Sequence, residues 1–363
     1  MKLNTKVLVI GGGPAGATAA RLLAEQGIDV ILLERDLSFV KPCGGGLSIG
    51  AFDEFGIPKT AIKKEVKKIR IVSPLGESID IALKGGSLAI INRGEFDMTL
   101  RSFAESKGAK IIEGEFTGLT HDRQLRIEAR AGGNTCELGA EFIIAADGVN
   151  SKVRTAIGIK PSRSFFTASE LIIGKNTELC EFWFGLSHAP YSYSWIFPAS
   201  EGVSIGTGCF DTGKINTLFE RFKRRTKILS EGRKRIYRVP VWQGDLYNRG
   251  KILFAGDSAG QVLPLTYEGI YYAMKAGELA ALAIMEGKVN NYKRIWKDRF
   301  QKRFMLMDKL RNYFLKDDAS AEKLIACHKI PEIQEASLRL WLTKDSSGES
   351  FMNYLRLFRK VLN

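Results

Sequence analysis

The sequence predicts a mixed α/β protein, α+β in its overall make-up, in which a Rossmann-like domain contains an inserted antiparallel β-sheet domain and precedes a helical C-terminal region. Three observations predict this fold class: a glycine-rich turn between an apolar strand and a helix, aromatic segments with alternating polarity in the middle of the chain, and a basic helical pattern after Val289. The 363 residues are enough for about two domains.

The first element pattern is a βαβ unit. An apolar strand at Lys6–Ile10 leads through glycines into a helix at Ala15–Gln26, and a second strand follows at Asp29–Glu34. Its length of about 30 residues is typical of a mononucleotide-binding half. Further strands and helices with apolar patterns follow at Gly94–Lys107 (helix), Lys110–Glu113, Glu141–Ala146 and Lys251–Ala255 (strands), and Gly269–Met285 (helix).

Two segments with a different residue pattern interrupt these elements. Lys67–Ala89 and Pro161–Trp242 are rich in alternating and aromatic strand patterns, which predict an inserted sheet. The expected domains are therefore a dinucleotide-binding domain at 1–66, 90–160 and 243–290, a substrate-binding β-sheet domain at 67–89 and 161–242, and a helical region at 291–363.

Composition excludes several classes of protein. The chain is 45% hydrophobic and 26% charged, which is ordinary for a globular protein and excludes a disordered or fibrous one. No apolar run reaches the length of a membrane span, and Val7–Ile10 is too short for a signal-peptide core. The five cysteines form no C-x-x-C pair and the three histidines are scattered, so no disulfide framework and no metal site is expected. We expect a cytoplasmic protein.

The net charge of +14 is concentrated in two stretches. Lys214–Arg238 and Lys288–Lys316 each contain ten basic and two acidic residues, which accounts for the whole excess. Localised positive charge indicates either a local anionic partner, such as lipid head groups, a diphosphate or nucleic acid, or two solvated helix faces. No nucleic-acid-binding motif accompanies the charge, so nucleic acid is not an expected partner.

The glycine-rich turn has the spacing of a dinucleotide-binding motif. Gly11 permits the tight turn, Gly13 lets a pyrophosphate approach the backbone, and Gly16 lets helix and strand pack closely. The helix start at Ala15 offers free N–H groups to the phosphates, and Glu34 at the end of the next strand can accept hydrogen bonds from ribose hydroxyls. Together these features predict a bound dinucleotide.

Two later motifs resemble those of flavoproteins of the para-hydroxybenzoate hydroxylase type. Asp147–Gly148 ends one strand and Gly256–Asp257 ends another, in the order that this family shows. The resemblance implies FAD as the cofactor, with Asp257 holding its ribityl chain. It also implies that Asp147 and Gly148 support the pyrophosphate region and a reduced nicotinamide donor, and that Arg93 lies beside the flavin. NAD(P)H and ferredoxin both remain open as electron donors.

The stretch Pro190–Pro198 fits P-x-x-Y-x-W-x-F-P, which resembles the signature of the geranylgeranyl reductase family. Lys41–Ser48 resembles the family's Cys-Gly-rich segment near the flavin ring. The resemblance covers roughly residues 1–290. In an extended chain, alternate side chains point to one face, so the expected aromatic wall consists of Tyr191, Tyr193, Trp195 and Phe197.

Members of that family saturate C=C bonds in polyprenyl chains with reduced FAD. The resemblance therefore implies a substrate that carries geranylgeranyl-type chains as a lipid, a diphosphate or a quinone. Aromatic faces would stabilise a carbocation formed on the alkene by up to about 2 kcal/mol each. The expected catalytic residues are Cys43, Tyr193 and Trp195, with Cys43, Tyr193 and water all open as the proton source.

One position departs from the family pattern. The family follows its Gly-Asp motif with a run such as P-x-T-G-x-G-I, and here Tyr267 occupies the first glycine position while Gly269 and Ile270 are retained. The expected substrate-binding residues are Pro190, Tyr193, Trp195, Phe197, Pro198 and Tyr267. The expected cofactor-binding residues are Gly11, Gly13, Pro14, Ala15, Gly16, Glu34, Arg35, Cys43, Gly44, Gly45, Gly46, Arg93, Asp147, Gly148, Gly256, Asp257, Gly269 and Ile270.

Alternatives remain open for the C-terminal region and for the activity. The aromatic residues from Tyr292 to Phe314 fall at helical spacing among basic residues, which fits either a helix lying on an anionic membrane or a helix that covers the substrate domain. The alternative functions are an FAD-dependent aromatic monooxygenase and a non-catalytic prenyl-binding protein similar to the Rab GDP-dissociation inhibitors.

Overall fold

A computed structural model describes residues 2–121, 125–342 and 344. Its α-helices are α1 (Pro14–Glu25), α2 (Gly50–Glu54), α3 (Arg93–Ser106), α4 (Lys152–Ala156), α5 (Ile215–Thr226), α6 (Ile270–Met285), α7 (Tyr292–Phe314), α8 (Asp318–Cys327) and α9 (Pro331–Trp341). Its strands are β1 (Lys2–Ile10), β2 (Val30–Glu34), β3 (Gly46–Ser48), β4 (Ile62–Val66), β5 (Lys68–Val72), β6 (Ser78–Ala82), β7 (Leu88–Ile91), β8 (Lys110–Glu113), β9 (Glu115–His121), β10 (Leu125–Ala131), β11 (Asn134–Ala145), β12 (Ser164–Ile173), β13 (Cys180–Trp183), β14 (Ser194–Pro198), β15 (Gly202–Cys209), β16 (Arg235–Pro240), β17 (Asn248–Arg249) and β18 (Ile252–Phe254).

The chain forms two compact units, each built from separate segments. The first contains the described residues of Met1–Lys41, Gly94–Ser164 and Val239–Lys302, and the second contains those of Pro42–Arg93, Phe165–Arg238 and Arg303–Asn363. The predicted domain bounds differ from these units by four residues each at 90–93, 161–164 and 239–242, and by longer segments in two places. Residues 42–66 lie in the second unit rather than the first, and the residues after 290 are divided between the two units.

The first unit is organised around a sheet with the order β17-β18-β11-β1-β2-β8. The strands from β18 to β8 are parallel, as the βαβ pattern predicts, and β9 and β10 extend β11 through antiparallel pairs. Since parallel strands end at the same edge, the turns after β1, β11 and β18 meet there. Helix α6 packs closely on α1, because Gly277 has no side chain: a β-carbon there would lie 2.1 Å from the carbonyl oxygen of Ala15.

The second unit contains a seven-stranded sheet with the order β16-β12-β15-β14-β13-β5-β6. The predicted inserted antiparallel sheet is present, although β13 and β5 form a parallel pair. Helix α5 covers one face, where Phe219 and Phe222 pack with Ile196 of β14 and Ile205 of β15. Trp195 and its neighbours with odd numbers on β14 therefore point to the opposite face.

The aromatic side of helix α7 is covered by the protein itself. Tyr292, Trp296, Phe300, Phe304 and Phe314 are all at most 1% exposed. In the first unit, the Trp296 ring lies against Tyr247 and the Phe300 ring against Tyr272. The amphipathic pattern therefore belongs to a covering helix, and its apolar face is not available to a membrane. No helix within the described ranges is long and apolar enough to cross a bilayer.

A buried histidine lies behind β14 in the second unit. The His188 ring nitrogen Nδ1 is 2.8 Å from the Ser194 hydroxyl, which in turn donates to the Thr207 hydroxyl at 2.7 Å. Burial lowers the pKa of His188 to about 3, and the positive charge of Arg225 acts in the same direction. The imidazole is therefore neutral in the folded protein across the physiological pH range.

This histidine predicts a loss of stability in mild acid. Unfolded His188 binds a proton below about pH 6.5, whereas the folded residue does not, so stability falls as pH decreases from about 6.5 towards 3. At pH 5 this group alone should lower the free energy of unfolding by about 2 kcal/mol. Denaturant titrations at pH 7 and pH 5 measure the effect, and His188→Gln should reduce the difference by that amount. An identical pH dependence in the variant would contradict the assignment.

Candidate active site

The carboxyl edge of the first sheet begins with the turn after β1. Gly11 has a φ of +104°, and a β-carbon there would lie 2.3 Å from the Ala146 carbonyl oxygen. Only glycine fits this position, because both the left-handed backbone and the close approach of the turn after β11 exclude a side chain. The predicted glycine therefore joins the ends of two neighbouring strands.

Helix α1 starts directly over this edge. Gly13 precedes its first residue, Pro14, and a β-carbon on Gly16 would lie 1.9 Å from the Gly11 carbonyl oxygen. No described atom lies within 4 Å of a β-carbon built on Gly13. Gly13 thus borders open space at the N-terminus of α1, and the first N–H groups of a helix, such as that of Ala15, favour a bound phosphate.

Glu34 lies at the end of β2, as predicted, and faces the same turn. Its carboxylate accepts hydrogen bonds from the backbone N–H groups of Gly12 and Asp36. The neighbouring Arg35 is exposed. Arg101, which no sequence motif predicts, also lies at this turn, and its buried guanidinium donates to the carbonyl oxygens of Gly12 and Leu37 at 3.3 and 2.8 Å.

Asp147 has a structural role in the turn after β11. Its Oδ2 accepts a hydrogen bond from the Val153 N–H at 3.1 Å, at the start of α4, and Gly148 beside it has a φ of +80°. Burial raises the pKa of Asp147, and its Oδ1 has no hydrogen-bond partner among the described residues. Arg154 connects this turn to the next motif by donating to the Ser258 carbonyl oxygen at 3.0 Å.

Asp257 lies in the short 3₁₀ helix Gly256–Ala259 that follows β18. Gly256 has a φ of +70°, and a β-carbon on it would lie 3.1 Å from the β-carbon of Ala15. The Asp257 Oδ1 is 3.7 Å from a β-carbon built on Gly269, which precedes Ile270 at the start of α6. The aspartate therefore lies close to the N-termini of both α1 and α6.

Lys41 forms an ion pair with the Asp257 carboxylate, which is only 10% exposed. Lys41 is the first residue of the Cys-Gly-rich segment, but no sequence pattern marks it as a partner of Asp257. Two helix N-termini, a lysine and carboxylates for hydroxyl groups are thus collected in the first unit. These groups fit the diphosphate and the polyol chain of a flavin dinucleotide.

The Cys-Gly-rich segment belongs to the second unit, where it meets the aromatic strand β14. The Gly45 N–H donates to the Cys43 sulfur at 3.0 Å, and Gly45 has a φ of +78°. A β-carbon on Gly44 would lie 2.9 Å from Cδ2 of Phe197 and 3.5 Å from Nε1 of Trp195. The tertiary structure thus brings together two predicted segments that are about 150 residues apart in the sequence.

The aromatic wall consists of Phe182, Tyr193, Trp195 and Phe197. The Phe182 ring, which belongs to no predicted motif, has its centroid 5.1 Å from that of Tyr193 and 5.0 Å from that of Phe197. The Trp195 indole N–H donates to the Ser204 hydroxyl at 3.2 Å. Its ring lies across Gly206, where a β-carbon would be 2.1 Å from Cζ2 of the indole.

Two residues expected near this wall have other positions. Tyr191 is 39% exposed with a φ of 58°, so the chain is not extended there, and its ring lies against Phe210. Pro198 pairs with Val203 and shares the face of Ile196, opposite Phe197. Pro190 is half-buried in the turn before β14.

The remaining two expected residues flank helices. Arg93 is the first residue of α3 and is 8% exposed. Tyr267 is half-buried with a φ of 53°, a left-handed conformation that favours glycine, and Leu265 nearby has a φ of 73°. Tyr267 therefore retains the backbone conformation expected of the glycine that it replaces.

Comparison with known proteins supports the assignment of the cofactor. The family model for an FAD binding domain matches residues 4–184. A digeranylgeranylglycerophospholipid reductase of Methanosarcina acetivorans is 34% identical over 315 residues, covering 79% of this chain and 76% of that protein. A chloroplastic geranylgeranyl diphosphate reductase of Arabidopsis thaliana is 29% identical over 389 residues, covering 97% of this chain and 83% of that protein.

A solved structure gives the same fold. A geranylgeranyl bacteriochlorophyll reductase-like protein of Thermoplasma acidophilum superposes with a TM-score of 0.85, at 23% identity, covering 100% of this chain and 98% of that one. The predicted α/β fold class, the FAD cofactor and the family resemblance are confirmed. The chain therefore belongs to the geranylgeranyl reductase family of FAD-dependent oxidoreductases.

Proposed function

We propose that the protein reduces C=C bonds in geranylgeranyl-type chains with electrons from FAD. The observation that carries this proposal is the contact between the Gly44 backbone and the aromatic side chains Trp195 and Phe197 in the second unit. A wall of four aromatic rings beside the Cys43–Gly46 segment suits an apolar, unsaturated chain. The relatives of this chain include reductases of geranylgeranyl diphosphate and of a digeranylgeranylglycerophospholipid.

The wall also suits the chemistry of an isolated alkene. FAD, when reduced and bound, supplies hydride, which an unactivated alkene accepts poorly. Protonation of a trisubstituted alkene places positive charge on its tertiary carbon. The ring faces of Trp195, Tyr193 and Phe197 would stabilise this cation by up to about 2 kcal/mol each. Since Trp195 and Phe197 are only 8% and 7% exposed, water competes little for this charge.

Two side chains are candidates for the proton donor. Cys43 uses its sulfur as an acceptor for the Gly45 N–H, and that contact leaves the thiol hydrogen for another partner. Tyr193 presents a phenol within the aromatic wall, half-buried and edge-on to Phe182. Either group lies beside the surface proposed for the alkene, and Cys43→Ser and Tyr193→Phe distinguish them by which one lowers the rate of reoxidation.

The test is anaerobic reduction of the bound FAD followed by addition of geranylgeranyl diphosphate. We expect the flavin absorbance to return and the product mass to rise by about two hydrogens per reduced bond. Reoxidation only by oxygen, with an oxygen atom added to an aromatic compound, would support a monooxygenase. A protein that cannot be loaded with flavin but binds prenyl compounds would support the non-catalytic alternative.

Removal of the Trp195 ring should lower turnover more than cofactor content. Trp195→Ala removes about 2 kcal/mol of cation stabilisation, which corresponds to about a 30-fold lower rate of reoxidation by substrate. Trp195→Phe is the matched control and should retain most of the rate. Equal losses of FAD content and rate in Trp195→Ala would contradict the proposed role.

We also propose that an anionic lipid surface binds the basic stretch Lys214–Arg238. The buried side of α5 faces the sheet, so Arg221 and Arg224 are exposed on its outer side, and Lys227, Arg233 and Arg235 are exposed after it. Leu229, which lies among them in the sequence, is 69% exposed. Exposed cations beside an apolar side chain suit a membrane that carries the lipid substrate.

Vesicle sedimentation tests this surface. We expect binding to vesicles of phosphatidylcholine with 30% phosphatidylglycerol, and little binding to phosphatidylcholine alone. Each lysine or arginine near an anionic surface contributes about 1 kcal/mol, so Arg221→Glu combined with Arg224→Glu should weaken binding at least tenfold. The matched control is Lys293→Glu combined with Arg294→Glu on α7. Equal weakening by both pairs would contradict a surface at α5.

A further inference from the structure

We infer that Trp341, at the end of α9, contacts the prenyl chain and contributes to selection of its length. The inference rests on the proposed function and extends it to a residue outside the segments that resemble the family. Trp341 follows Trp195 by 146 residues and is part of no motif in the sequence.

The first observation is a ring contact with the aromatic wall. The centroids of Trp341 and Phe182 are 5.9 Å apart, with the ring planes at 86°. Phe182 also touches Tyr193 and Phe197, so its ring has aromatic neighbours from two separate segments of the second unit. Edge-to-face pairs of this kind stabilise an aromatic cluster and fix the orientation of its rings.

The second observation is that Leu342, the residue after Trp341, is buried and hydrogen-bonded. The carbonyl oxygen of Leu342 accepts a buried hydrogen bond from the Ser48 hydroxyl at 2.7 Å. The Leu342 side chain is 3% exposed, and its Cδ2 would be 2.9 Å from a β-carbon on Gly86. Ser48 lies on β3, directly after the Cys43–Gly46 segment. The end of α9 is thus fastened to the strand that carries the other half of the proposed substrate site.

The third observation is that the aromatic rings around Phe182 differ in solvent exposure. Phe182, Tyr193 and Trp341 are half-buried, whereas Trp195 and Phe197 are buried. Phe197 contacts the Gly44 position, whereas Trp341 contacts Phe182, whose ring centroid is 5.0 Å from that of Phe197. In the arrangement that we infer, the reacting alkene lies at the buried rings Phe197 and Trp195, and a more distant isoprene unit lies at the more exposed ring of Trp341.

This order predicts an effect that depends on chain length. The indole of Trp341 would bury apolar area of the prenyl chain and attract it through the ring quadrupole. Its removal should therefore weaken binding of a chain that reaches it by about tenfold. Geranylgeranyl diphosphate, with four isoprene units, should lose about tenfold in kcat/KM with Trp341→Ala. Geranyl diphosphate, with two units, should lose less than twofold, because it does not reach the indole.

The experiment compares wild type, Trp341→Ala, Trp341→Phe and the control Tyr313→Ala. Tyr313 is 45% exposed on α7 and pairs edge-on with Phe314, so its removal deletes an aromatic ring outside the cluster around Phe182. FAD content and thermal midpoint are measured first, and then kcat/KM for geranyl, farnesyl and geranylgeranyl diphosphates. Trp341→Phe should retain most of the selectivity for length, and Tyr313→Ala should leave it unchanged.

Binding to the oxidised protein gives an independent measurement. Titration calorimetry with the same three diphosphates detects the contact whether or not the flavin is reoxidised. Equal losses for all three lengths in Trp341→Ala, or no loss, would overturn the inference even if the wild type is an active reductase. A wild type that binds the chains with this length dependence but never transfers electrons would overturn the proposed reaction and leave the Trp341 contact standing. If Trp341→Ala does not fold, Trp341→Leu tests the same dependence.

Discussion

Both units depend on glycines that let a neighbouring backbone or aromatic ring approach closely. In the second unit, Gly44 leaves room for Phe197, and Gly206 leaves room for the indole of Trp195. In the first unit, Gly16 and Gly277 allow α1 to lie against its own turn and against α6. A methyl group at any of these positions would occupy space already filled by a carbonyl group or an aromatic ring. The glycines therefore determine where the neighbouring rings and helix ends are held.

The electrostatics of the first unit follow from this packing. Because α1 and α6 approach closely, their N-termini lie near the same carboxylate, Asp257. Lys41 compensates the charge of that carboxylate, while Glu34 accepts hydrogen bonds from backbone N–H groups at the glycine turn. Partial positive charge for phosphates and carboxylate oxygens for hydroxyls are both required by a flavin dinucleotide. The unit supplies them mainly from the ends of strands and helices.

A fold of this kind does not by itself specify a reaction, because the reaction depends on what surrounds the cofactor. In this chain, the groups that we propose for binding the alkene are in the second unit, beside the sheet face opposite α5. Apolar rings, a thiol and a phenol are collected there. The buried hydrogen bonds that link His188, Ser194 and Thr207 lie on the other side of β14 and hold the strand in position.

The sequence by itself determined the fold class, the βαβ unit and the chemical identity of the dinucleotide site, because these depend on local periodicity and on glycines at fixed spacing. It also identified Trp195 and Phe197, which alternate correctly along an extended strand. Tyr191 did not follow this pattern, because its positive φ ends the alternation. Sequence spacing cannot detect a bend of this kind when no glycine marks it.

Only the tertiary structure decided which faces meet. Periodicity shows that residues such as Trp296 and Phe300 share one side of a helix, but the packing of the first unit decides that this side is covered. The ion pair of Lys41 with Asp257 and the contact of Trp341 with Phe182 join residues far apart in the chain. Such contacts depend on the order of the strands and on how the helices pack on a sheet. A local sequence pattern contains no information about either.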